Sequence, residues 1–132
     1  MKRKEKSRLP LLSAQLPDGR WRLNGRKRWI GNAPLAHIVT VWAKDVHDNE
    51  MKCFIVDTKL KGFYVTKQEG KIALRCVQNG DILMDNVIVP RDAFLPKATS
   101  FRSTAGVLLA SRVMVAWVPV GMCAGLYDVC KR

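Results

Sequence analysis

Leu23-Asn24-Gly25-Arg26-Lys27-Arg28-Trp29-Ile30-Gly31-Asn32 decides how the rest of the chain is read. Asn-Gly is the strongest short hairpin signal, because both residues tolerate the positive φ of a type I′ turn. The sequence therefore predicts short strands over residues 20–23 and 26–30, joined at Asn24-Gly25. Trp29 then runs into Gly31-Asn32, an odd ending for a plain core strand. A glycine there leaves room for a flat ligand to approach the backbone, and an indole can cover an aromatic ring. The plainer alternative is a core tryptophan ahead of a loop glycine.

Moving outward, β-like runs recur with turn signals between them. Residues 38–43 (IVTVWA), 51–56 (MKCFIV), 62–66 (GFYVT), 72–77 and 81–89 predict five more strands, with a polar turn at 45–50 and another at Asn79-Gly80. Seven short strands describe a mainly β domain, an antiparallel sandwich or barrel. The pattern then changes. Ser103 or Thr104 can cap a helix, and residues 105–130 are almost wholly apolar, interrupted by Ser111, Arg112 and Asp128. This predicts one long C-terminal α-helix, apolar on every side, which belongs among other helices or in a membrane. Residues 113–127 carry no charge but are too few for a span of about twenty residues. Arg112 and Pro119 would burden a longer one, so a packed helix is expected rather than a membrane anchor.

The chain has 132 residues and a formal net charge of +12, enough length for one real core. Ten of the basic residues and two acids, Glu5 and Asp18, fall in residues 1–28, so that segment holds +8 of the total. The remainder is nearly balanced, and this argues against a basic nucleic-acid-binding face. Residues 1–18 read as a basic, disordered leader. The cysteines at 53, 76, 123 and 130 show no metal-pair spacing and read as packed thiols.

The residues by themselves assemble no catalytic constellation. His47 lies in a polar turn, and His37 opens a strand with no nucleophile beside it. The acidic residues fall mostly in turns, where solvation is their ordinary state. No phosphate-cradling glycine loop occurs.

Four segments in order nevertheless resemble the acyl-CoA dehydrogenase and acyl-CoA oxidase family. LNGRKRWIGNAPLAHIVTVWA is similar to the strand pair opening that family's middle β-domain, and FIVDTKLKGFYVTK to its central meander. KIALRCVQNGDILMDNVIVP resembles the closing stretch, with Asp85-Asn86-Val87-Ile88-Val89-Pro90 as its ending. LLASRVMVAWVPVGMCAGLYDVCKR resembles the first long helix of the C-terminal helical domain. The wording WIGN and VQNGDIL is most similar to short-chain acyl-CoA oxidases of plant peroxisomes, with glutaryl-CoA dehydrogenases as near neighbours.

The resemblance implies a middle β-domain over residues 19–100 and a first helix over 101–132. It implies FAD as cofactor, an acyl-CoA substrate oxidised to the trans-2-enoyl-CoA in fatty-acid β-oxidation, and a homo-oligomeric parent. Trp29, Ile30 and Gly31 match the triplet that lines the flavin. Leu108, Leu109, Ala110, Ser111 and Arg112 match the helix segment facing the acyl-CoA. The family often has Thr or Ser where Gly31 stands, a hydroxyl that can bond flavin N5, and Ala73 replaces a usual glycine. No residue here matches the proton-abstracting glutamate. The chain is thus expected to be an incomplete oxidase or dehydrogenase, inactive alone and prone to self-association. The peroxisome is its expected location, with the mitochondrion or cytoplasm as alternatives. A non-catalytic binding or interaction module is the rival reading.

Overall fold

The structure is a computed structural model and describes residues 11–98 and 100–131. Two compact units divide at residue 100, a β unit and a helical one.

The β unit holds six strands: β1 (Leu12–Gln15), β2 (Trp21–Gly31), β3 (Ile38–Asp45), β4 (Met51–Asp57), β5 (Phe63–Lys67) and β6 (Asn79–Val89). They form one sheet in the order β4-β3-β1-β2-β6-β5. Neighbours are antiparallel except β1 and β3, which run parallel through Leu12–Lys44 and Ser13–Asp45. The expected mainly β fold is present, its strands joined in a single mixed sheet. One core cluster draws Phe54 and Val56 from one edge and Phe63 from the other, together with Trp21, Leu23, Val41, Ile82 and Val87. A sheet whose two edge strands feed one core must curl about it. Among the described residues, closure goes no further than a bridge between Phe54 and Phe94, the latter just beyond β6. There Trp21, Phe54 and Phe94 pack with centroids 5.3 to 5.8 Å apart in tilted geometry, the arrangement ring quadrupoles favour.

Four expectations are corrected. Residues 11–18 are ordered, with β1 pairing along β2, while residues 1–10 lie outside the described residues. Asn24-Gly25 makes no hairpin, because β2 runs straight through it. Asn24 instead spends its amide across the sheet, accepting from the Asn86 N–H at 2.7 Å and donating to Asn86 Oδ1 at 3.3 Å. Opposite it β6 carries one extra residue, since Leu23 pairs Val87 but Gly25 pairs Met84. Asn86 takes a positive φ there, 52°, a conformation asparagine adopts more readily than most residues. Residues 72–77 form a turn rather than a strand, with Leu74 at φ 49° and the Val77 N–H bonded to the Leu74 carbonyl. Asn79-Gly80 opens β6 instead of turning. Gly80 is needed for close approach: a Cβ there would lie 2.9 Å from Val65 Cγ1 and 3.2 Å from Pro34 Cγ.

The helical unit is a short 3-10 turn followed by α1 (Ala105–Cys130), with the bounds the sequence predicts. Thr104 occupies the N-cap position without a capping bond from its side chain, Pro119 lies inside the helix, and none of its residues is buried. Arg102–Cys130 is long and apolar enough to cross a membrane by length and composition.

Candidate functional site

The sequence-predicted flavin residues lie at the C-terminal end of β2, on a second irregularity. Lys27 pairs with Ile82 and Ile30 with Gly80, so Arg28 and Trp29 together face Asp81 alone. The extra residue is on β2 here, whereas at Asn86 it is on β6, and the two bulges restore the original register. Trp29 is in the left-handed region at φ 59°, a conformation a bulky residue adopts only when its surroundings impose it. The bulge re-aims the indole, which is 57% exposed although it sits in a central strand.

Those surroundings can be named. Asp81 is buried, and its Oδ2 accepts a hydrogen bond from Arg26 at 2.5 Å and lies 3.3 Å from Arg28 Nε. Burial alone pushes the Asp81 carboxyl up. Together the hydrogen bonds from Arg26 and Gln68, the Arg26 charge and the Trp29 N–H outweigh this and hold it below its ordinary 3.8. On the other side, Asn79 Nδ2 donates to the Trp29 carbonyl at 3.3 Å. Asn79 Oδ1 in turn accepts from Lys71 Nζ at 2.5 Å, and Lys71 also donates to the Val77 carbonyl at 2.5 Å. Both backbone groups of Trp29 are thus engaged from β6. Lys27, half-buried in the row of Ile82, has its ammonium pulled below the usual lysine range by burial.

Gly31 follows with open space: no atom lies within 4 Å of where a Cβ would stand. Asn32, at φ 62°, donates its N–H to the Gln78 carbonyl at 2.7 Å and turns the chain away. An exposed indole on a held bulge, beside a residue with no side chain, fits one wall of a site for a flat aromatic ring.

Leu108, Leu109, Ala110, Ser111 and Arg112 lie on the first two turns of α1, in the other compact unit. Ser111 Oγ donates to the Leu108 carbonyl at 3.0 Å, an ordinary i−3 bond for a helical serine. The structure therefore brings Trp29, Ile30 and Gly31 together on one strand end, and Leu108–Arg112 together on one helix.

Sequence reasoning missed Asp81, Asn79, Arg26 and Lys71. Asp81 reads as a solvated carboxylate after a turn, yet it is buried, as is Asp45. Its two arginine partners at 26 and 28 were visible only as charge.

Comparison with known proteins places this geometry. The family model for the acyl-CoA dehydrogenase middle domain matches residues 10–87. The chain belongs to the acyl-CoA dehydrogenase family. The match begins before β1, so the first strand is part of that domain. The mitochondrial short/branched chain specific acyl-CoA dehydrogenase of Rattus norvegicus is 29% identical over 110 residues, covering 80% of this chain and 26% of the relative. Subunit CarC of the caffeyl-CoA reductase-Etf complex of Acetobacterium woodii is 34% identical over 110 residues, covering 80% and 29%. Among solved structures, a glutaryl-CoA dehydrogenase from Mycobacterium smegmatis in complex with FADH2 superposes with a TM-score of 0.66 at 33% identity, covering 72% of this chain and 24% of that one. The chain spans about a quarter of the length of these relatives. They are dehydrogenases and a reductase subunit, so the likeness stands at the level of the family and not of the plant peroxisomal oxidases.

Proposed function

We propose that this chain supplies the flavin-facing β wall of an FAD-dependent acyl-CoA dehydrogenase, with α1 as the opening helix of the neighbouring helical layer. The carrying observation is Trp29, held left-handed and exposed by Asp81 and Asn79 beside the open Gly31. FAD, when bound, accepts the hydride of acyl-CoA oxidation. The residues of this chain cover one face of the ring, exclude water from it and fix its orientation through the backbone of the bulge. Gly31 leaves space where a hydroxyl would otherwise approach the ring. Leu108–Arg112 are proposed to face the acyl-CoA. The mitochondrial relative favours a mitochondrial dehydrogenase over a peroxisomal oxidase, and the glutaryl-CoA dehydrogenase likeness keeps a short acyl substrate in view.

Titration of the chain with FAD, followed by tryptophan emission in the parent and in Trp29→Phe, tests the reading. Trp21, Trp42 and Trp117 give the background. Quenching that disappears in Trp29→Phe is expected, and equal quenching in both chains would overturn the assignment. One wall must offset the entropic cost of association, so binding in the high micromolar range or weaker is expected, on the order of 10⁻⁴ M.

A further inference from the structure

Next to the Trp29 bulge is a cavity of about 230 Å³, its charged lining made by Lys67, Glu69, Lys71 and Arg75. Three cations and one carboxylate share it. Among the described residues Lys67, Arg75 and Glu69 make no hydrogen bond or ion pair through their side chains. Lys71 is committed to two neutral oxygens, the Val77 carbonyl and Asn79 Oδ1. Its charge is therefore held in place without being neutralised, and one of its three N–H groups is left over. Isolated surface cations are simply hydrated. A lysine fixed by two hydrogen bonds at the wall of a polar cavity is different, because its position is already set before a ligand arrives. Arg75 adds a planar fork of donors suited to a tetrahedral oxyanion.

We propose that this cavity binds a phosphate-type dianion through Lys71 and Arg75, with Lys67 adding charge and Glu69 opposing it. Lys71 also holds Asn79, and Asn79 holds the Trp29 carbonyl. An anion on Lys71 is thus two hydrogen bonds from the tryptophan bulge and can be read out there. The proposal does not depend on the flavin reading, since both anion binding and the tryptophan response are measured without FAD.

Equilibrium dialysis of the full chain at fixed ionic strength tests it, with inorganic phosphate, ADP and coenzyme A as probes and chloride as the balancing anion. Saturable phosphate binding is expected. Arg75→Ala should weaken it about five-fold, the size of one exposed charge contact, and Glu69→Gln should tighten it. Lys71→Ala should weaken it and also change Trp29 emission, a change absent in a Trp29→Phe background. Tighter binding of ADP or coenzyme A than of phosphate identifies a coenzyme as the source of the anion. Equal binding identifies free phosphate. Uptake that is unsaturable, or unchanged in both Arg75→Ala and Lys71→Ala, overturns the proposal.

Discussion

At the scale of single residues, the site depends on backbone conformations that side chains from another strand impose. Asp81 is the clearest case. Its folded pKa lies below its ordinary 3.8, so its contribution is fully present above that value and is lost as pH falls through the lower folded one. Unfolding free energy measured between pH 5 and 2 should therefore fall with acid, and Asp81→Asn should flatten that slope. An unchanged slope in the variant would show that other carboxylates dominate. Two glycines give opposite expectations. Gly62 sits at φ 88°, and a Cβ there would stand 2.1 Å from the Asp85 carbonyl oxygen. Gly62→Ala should cost at least ~2 kcal/mol in denaturant unfolding, since backbone strain and a clash with the β6 bulge add together. Gly31→Thr meets open space and should change stability by no more than ~0.5 kcal/mol. If Gly31 faces the flavin as proposed, the new hydroxyl should tighten FAD binding in the same titration.

Among the elements, β2 and β6 define the site and α1 is the exposed liability. The β2–β6 pair carries one bulge on each strand, and the cross-strand Asn24–Asn86 contact marks the first. Asn24→Ala removes an acceptor from the Asn86 N–H and should cost about 1 kcal/mol. It should also broaden the Trp29 signal in near-ultraviolet dichroism if the two bulges set one register. For α1, large apolar side chains such as Leu109, Met114, Trp117, Met122 and Val129 are all more than 60% exposed. An apolar surface of that kind drives association. The chain is expected to self-associate or aggregate. Deleting residues 105–132 should improve solubility while the β dichroism survives. Vesicle flotation separates the membrane alternative, and the full chain should stay in the dense fraction when added to preformed vesicles. Flotation that the deletion abolishes would show α1 acting as a membrane anchor.

For the whole molecule, the question is turnover. By the sequence resemblance, no carboxylate in this chain stands for the proton-abstracting glutamate, and a general base must reach its proton directly or through one water. These 132 residues with FAD and a short acyl-CoA should therefore show no dye reduction and no peroxide above a heat-treated control. Clear turnover would mean that one of the acids here, most accessibly Asp57 or Asp85 on the exposed sheet, performs a role the resemblance does not predict. Stability should reside in the β unit, since its core is one cluster. Helix deletion should then leave the denaturant midpoint of the β signal nearly unchanged.

The family, the mainly β class, the bounds of α1 and the place of Trp29 and Gly31 at the end of a strand were all legible along the chain. Each rests on information local in sequence: an apolar run of helical length, alternating strands, and a tryptophan ahead of a glycine. What the chain alone could not show is where hydrogen bonds go when two partners compete. Asn24-Gly25 has the chemistry of a turn, but pairing with residues 84–87 uses the same backbone and adds the Asn86 contact, so β2 stays straight. Residues 11–15 look like part of a polar leader because their partners are β2 and β3, the latter about thirty residues away. Asp81 follows a turn-like Asn-Gly and looks solvated, yet Arg26 and Arg28, more than fifty residues earlier, cover it. Each difference has one cause: the deciding partner is distant in sequence and only the folded sheet brings it near.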